Sequence, residues 1–118
     1  MKCVLVRPDL SVEIVKLSSP TYKCLHDLVG GLFEIVRSDH LKKPYVMVVN
    51  ESGLLLDLPV NLIGSFYYGT LFHGCPLVGN VVFMREGPVD DGEYDLLGLS
   101  DFEAVAFQYC FQQFTKKL

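Results

Sequence analysis

The sequence predicts an α+β fold: a mostly antiparallel sheet of about six strands, with a short N-terminal helix, a short middle helix and a long C-terminal helix. Short runs rich in β-branched residues, bounded by Gly, Pro, Asn or Asp, recur from residue 2 to residue 84. Three segments instead carry helical spacing with start or stop signals at their ends. Strands and helices do not alternate regularly, and no internal repeat is visible, which separates the pattern from a parallel α/β fold.

Lys2–Val6 and Ser11–Leu17 flank the turn residues Arg7-Pro8-Asp9 and read as a hairpin or adjacent strands. Ser18-Ser19-Pro20 opens a helix over 20–29, where Tyr22, Leu25, Leu28 and Val29 fall at helical spacing until Gly30-Gly31 ends it. Leu32–Arg37 and Tyr45–Val49 read as strands, the second more completely buried. Asn50-Glu51-Ser52-Gly53 should turn that strand back into a partner at Leu54–Leu58, with Gly53 at positive φ. Pro59 ends that run, and Asn61 caps a short helix over Leu62–Tyr68. A loop over 69–76 leads to a strand at Leu77–Met84, where Gly79 marks a bulge or a close backbone approach. The acidic stretch 86–95 reads as a mobile loop. Ser100-Asp101-Phe102-Glu103 fits a capping box, and a helix over 101–116 ends in Lys116-Lys117, the charge that a helix carboxyl end favours. On that helix Asp101, Gln108, Gln112 and Thr115 form a polar stripe. Its apolar residues cover roughly 200° of the circumference, more than one packing contact needs, so two apolar partners are expected.

Half of the 118 residues are hydrophobic and 20% are charged, and the mean hydropathy is +0.31. This is the opposite of the signature of disorder, and the length suits one domain over 1–118. Ten Lys and Arg against 14 Asp and Glu give a net charge of −4. The only basic pairs are Lys42-Lys43 and Lys116-Lys117, so a nucleic-acid footprint is not expected. The apolar run Cys3–Val6 is too short for a secretory signal, and no segment approaches the ~20 apolar residues of a membrane span. A cytoplasmic location and no membrane partner follow. Cys3, Cys24, Cys75 and Cys110 form no Cys-x-x-Cys and read as thiols rather than a disulfide framework.

Val49-Asn50-Glu51-Ser52-Gly53-Leu54, Leu58-Pro59-Val60-Asn61 and Pro76–Val82, preceded by Leu28–Val36 with its Val-Gly-Gly helix end, occur in an order that resembles a family of small proteins from bacteriophages and gut-bacterial mobile elements. That family is domain of unknown function 3846. The resemblance covers roughly 1 to 85, and the aromatic C-terminal helix departs from it. It implies a small α+β module and an accessory role in a virus or mobile element, with no activity, cofactor or catalytic residue to carry over.

Cys24-Leu25-His26 and His73-Gly74-Cys75 mirror each other as a Cys2His2 set. One-residue gaps place Cys24 and His26 about 200° apart on a helix, so neither a metal site nor any other cofactor is assigned. Cys75 beside His73 or His40, or the carboxylates Glu34, Glu51 and Asp57, would serve a small hydrolase as the enzymatic alternative. A second alternative is a protein that sequesters a small nucleotide signal, which needs Arg7, Arg37, Lys42 or Arg85 to converge. Gly30-Gly31 and Gly79-Asn80 lack the pattern of a phosphate loop. Asn50, Glu51 and Asn61 read first as turn and cap residues and second as polar groups offered to a ligand. Tyr67, Tyr68, Phe107, Phe111 and Phe114, with Phe66 and Phe72, exceed what one small core obviously absorbs. The expected function is a non-enzymatic binding protein that acts through this aromatic surface as a homodimer, with a host protein or a small molecule as further partner candidates.

Overall fold

In the computed structural model, which describes residues 1–117, six strands form one antiparallel sheet. They are β1 (Lys2–Val6), β2 (Val12–Lys16), β3 (Phe33–Val36), β4 (Tyr45–Asn50), β5 (Val81–Pro88) and β6 (Tyr94–Leu97). The order is β2-β1-β5-β4-β3, and β6 pairs with the far end of β5. The helices are α1 (Thr21–Val29), α2 (Leu62–Tyr68), α3 (Thr70–His73) and α4 (Asp101–Lys116), with a 3₁₀ turn at Asp90–Gly92. The α+β class is the expected one.

Val4 and Met47 flank Phe83, while Leu5 and Val48 flank Val82. Because successive strand residues point to opposite faces, this register builds two separate cores. On one face Val4, Val6, Met47, Val81 and Phe83 pack against Ile63 of α2 and against Ala104 and Phe111 of α4. On the other, Leu5, Val46, Val48, Val82 and Met84 pack against Leu25 and Val29 of α1. Two-sided burial explains why Val46–Val49 is apolar without alternation.

Local signals place the helices. Gly30 closes α1 in the left-handed conformation at φ 80. Ser100 Oγ accepts from the Glu103 N–H at 3.1 Å, while Glu103 Oε1 accepts from the Ser100 N–H at 2.8 Å, which completes the capping box of α4. Asn61 is fully buried. Its Oδ1 accepts from the Gly64 N–H at 2.9 Å, and its Nδ2 donates to the carbonyls of Val6 and Gly79 at 3.0 and 2.9 Å. One amide thus ties the start of α2 to the end of β1 and the entry to β5.

Several expectations are corrected. Residues 54–58 form no strand, because the chain curls through bonds from the Leu56 N–H to Ser52 O and from the Leu58 N–H to Gly53 O. Asp57, at φ 54, takes the left-handed position. Gly53 is required instead for space, since a Cβ there would stand 2.7 Å from Val78. The strand expected from Leu77 starts at Val81. Gly79, at φ 74, precedes it in a left-handed turn, with the Leu58 side chain where its Cβ would be. Part of the 69–76 loop is the single helical turn α3. The acidic stretch is the β5–β6 hairpin, in which buried Gly87 lies opposite Asp95 and Glu86 is held by Arg37. Acidic composition hid a strand, β5, whose Glu86 is paired with Arg37.

Asn61→Ala should lower stability by about 2–4 kcal/mol, since it removes a cap and leaves two carbonyls without their donor. Urea unfolding should give a lower midpoint at an unchanged m-value.

Candidate functional site

Helix α4 carries two apolar seams. Ala104, Phe107, Phe111 and Phe114 face the sheet, and Phe111 lies 4.6 Å from Phe83 between ring centroids. Phe102, Val105 and Tyr109 face outward, with Phe102 82% exposed. The inner seam has three phenyl rings plus an alanine that lets the helix come close, while the outer one includes a tyrosine whose hydroxyl favours water. Phe111 is therefore core, contrary to its place in the expected surface. Phe107 is half-buried edge-on to Tyr45, and Tyr67 is half-buried against Phe83 and Phe111. Tyr68 is half-buried beside the His73 ring.

Phe114 does reach an open surface. It lines a groove of about 240 Å³ with Val60, Leu62, Phe66, Leu71 and Pro76, among others, that is almost wholly apolar. The Asn61 cap sets the phase of α2, turning Ile63 inward and Leu62 and Phe66 outward. Gly69, at φ 87, then redirects the chain into α3, and no Cβ fits there because the His40 ring occupies the space. His40 stacks on Phe72 at 4.7 Å and 6°. Leu71 and Phe72 project outward, 83% and 79% exposed. Beyond Pro76 the neighbouring cleft continues the surface to Leu54 and Leu55, the latter 90% exposed. Sequence reasoning expected two apolar partners for α4 but did not place Phe102, Val105 and Tyr109 among the surface residues, and it missed Val60, Leu62, Leu71 and Leu54–Leu56 as surface residues; the unalternating run of three leucines was the available signal.

Two of the three polar candidates, Asn50 and Asn61, are engaged within the fold. Asn50 donates to Val29 O at 3.1 Å and accepts from the Ser52 N–H at 2.8 Å, and Asn61 has no polar atom left to offer. Glu51 is exposed and shares a cleft with Glu34 and Cys75, whereas Asp57 is not among that cleft's lining residues. The Cys75 N–H donates to His73 Nδ1 at 3.0 Å, so His73 Nε2 carries the proton that bonds Tyr68 O at 2.9 Å. Cys24 and His26 lie on α1, across the sheet from His73 and Cys75. Among the described residues, no three His, Cys, Asp or Glu side chains are grouped to hold a metal ion.

The model of the family described as Domain of unknown function (DUF3846) matches residues 1–112. The chain belongs to this family. The match extends well beyond residue 85 and takes in most of α4, so the aromatic helix is part of the DUF3846 domain rather than a departure from it. No curated protein and no solved structure matches the chain.

The arginines of this DUF3846 protein do not converge. Arg37 grips both oxygens of Glu86 at 2.5 Å, and Arg7 pairs with Glu13 at 2.7 Å. Arg85 donates to Gly98 O at 2.9 Å and lies 3.7 Å from Glu103. Alternation along β5 puts Arg85 on the α4 face and Glu86, with Arg37, on the other. The Arg37 guanidinium holds the Glu86 carboxyl below the usual range. Burial pushes the Glu103 carboxyl up, but bonds from the Ser100 backbone and the Tyr45 hydroxyl outweigh it and leave a net lowering. No described helix is long and apolar enough to cross a membrane.

Because the folded Glu86 carboxyl titrates below its unfolded value of about 4.3, its contribution is present above that pH and is lost as pH falls through the folded value. Arg37→Met should lower stability at neutral pH and flatten the loss seen on acidification below about pH 4.5, measured by thermal melts across that range. The thiols give a second test. Cys3 is buried, and burial pushes its thiol up to about 12, whereas Cys75 and Cys110 are exposed. Iodoacetamide should label Cys75 and Cys110 at similar rates and Cys3 only after unfolding, as read by peptide mass spectrometry.

Proposed function

We propose that this protein is a non-enzymatic accessory binding protein of a phage or mobile element, acting in the cytoplasm as a homodimer. The observation that carries the reading is the apolar surface of α2, α3 and the end of α4. Leu71 and Phe72 project beside a groove floored by Phe66 and Phe114. A knob and a groove on one patch suit two-fold, self-complementary pairing. Val60, Leu62, Phe66, Leu71 and Phe72 together expose on the order of 500 Å², against about 800 Å² per partner in a standard interface, and the leucine turn continues the patch. Support for binding over chemistry comes from the residues nominated for catalysis: both ring nitrogens of His73 hold backbone groups.

Native mass spectrometry and sedimentation should find a dimer at about 10 μM, and Leu71→Glu should yield a folded monomer whose melting temperature, unlike that of the wild type, does not depend on protein concentration. A wild-type monomer up to about 100 μM would overturn the proposal. So would a dimer that survives Leu71→Glu but is broken by Tyr109→Glu, which would move the interface to the outer face of α4.

A further inference from the structure

The sheet ends on one side at β3. The Glu51 N–H donates to Leu32 O at 3.0 Å, which fixes the phase of the β3–β4 ladder. Residues 34 and 36 bond toward β4, so the N–H and C=O of Phe33 and Ile35 point away from the sheet. Among the described residues none of these four groups has a hydrogen-bond partner. The opposite edge, β2, carries exposed Glu13 and Lys16, the charged side chains that blunt such edges, whereas β3 carries only Glu34.

A groove lies on each face of this edge. Tyr22, Leu32 and Phe33 line one of about 600 Å³ beside α1. Glu34, Val36 and Leu54 line the other, of about 450 Å³. A strand added along β3 would send alternate side chains into the two grooves. The second groove also holds Glu51 and has no Lys or Arg in its lining, so it favours a cation from the partner. A second copy suits the edge poorly, because pairing Phe33 with the partner's Ile35 sets the two Glu34 carboxylates directly opposite in a close, non-hydrogen-bonded pair.

We infer that β3 is a strand-addition site for an extended segment in which apolar residues alternate with Lys or Arg, the basic side chains facing Glu34 and Glu51. The edge lies outside the α2–α3 groove, but its second cleft adjoins the leucine turn that extends the dimer patch, so peptide probes are titrated into the Leu71→Glu variant as well as the wild type, which separates this inference from the dimer.

The probes are two capped seven-residue peptides that alternate valine with lysine or valine with glutamate, titrated into isotope-labelled full-length protein. The valine–lysine peptide should shift the Phe33 and Ile35 amide resonances and bind about tenfold more tightly than its glutamate counterpart. Glu34→Lys, a change at an exposed side chain, should reverse that order. Ile35→Pro, which removes one outward N–H at an edge where proline is tolerated, should abolish binding. The inference is overturned if neither peptide shifts these amides at about 1 mM, or if both bind equally. It is also overturned if Glu34→Lys changes nothing. Amides of Phe33 and Ile35 already protected in a wild-type dimer would assign the edge to a second copy and sink the proposal.

Discussion

The central strands β1, β4 and β5 carry apolar side chains on both faces, and the need to cover both faces places α1 on one side and α4 on the other. A sheet buried on one side only could leave its other face to water. Here Val82 and Phe83, adjacent in sequence, belong to different cores. Helix α1 is short and covers one face through Leu25 and Val29. The other face needs more, and α4 and α2 share it, with the Phe83, Phe107 and Phe111 rings tilted against one another between α4 and the sheet. Aromatic content that looks excessive along the chain is partly the requirement of a second core.

Helix α2 is attached differently. It fully buries only Ile63, Gly64 and Ser65, with Tyr67 half-buried against Phe83 and Phe111, a small apolar area for seven residues. Its position rests on buried polar bonds: the three made by the Asn61 side chain, and the Ser65 hydroxyl, which donates to Leu77 O and accepts from the Leu77 N–H. Gly64 lets the helix press against Val81, which stands 2.8 Å from where a Cβ would be. An element anchored by hydrogen bonds is free to turn Leu62 and Phe66 outward. The apolar groove is therefore a direct result of how α2 is fastened.

Local chemistry made much of this fold legible. Gly30 at the end of α1, Asn61 at the start of α2, and Ser100 with Glu103 at the start of α4 announce themselves within a few residues, and each does in space what its spacing predicts. The misreadings fall where distant groups decide. Leu54–Leu58 has strand composition but finds no neighbouring strand, and the Asn50 side chain instead starts a turn. Glu86 and Gly87 resemble a loop, yet Arg37, 49 residues away from Glu86 in sequence, neutralises the charge and allows the hairpin. In α4 the existence of two apolar faces was legible, but which rings face the sheet was not, because the seam was chosen by close approach at Ala104 and by the Phe83 ring. The candidate site was accordingly only half readable. Phe66, Phe72 and Phe114 could be named from composition, whereas the exposed leucines beside them depended on the path of the chain.

The position of β5 also governs the order in which the sheet can close. It lies between β1 and β4 and is the strand on which β6 pairs, yet it begins at residue 81. Until that residue has been synthesised, β1–β2 and β3–β4 exist only as separate ribbons, each with an unpaired inner edge, and the face that α4 later covers is open. Nascent chains are therefore most exposed to mispairing late in synthesis, when most of the apolar surface is present and the strand that joins the halves is still missing.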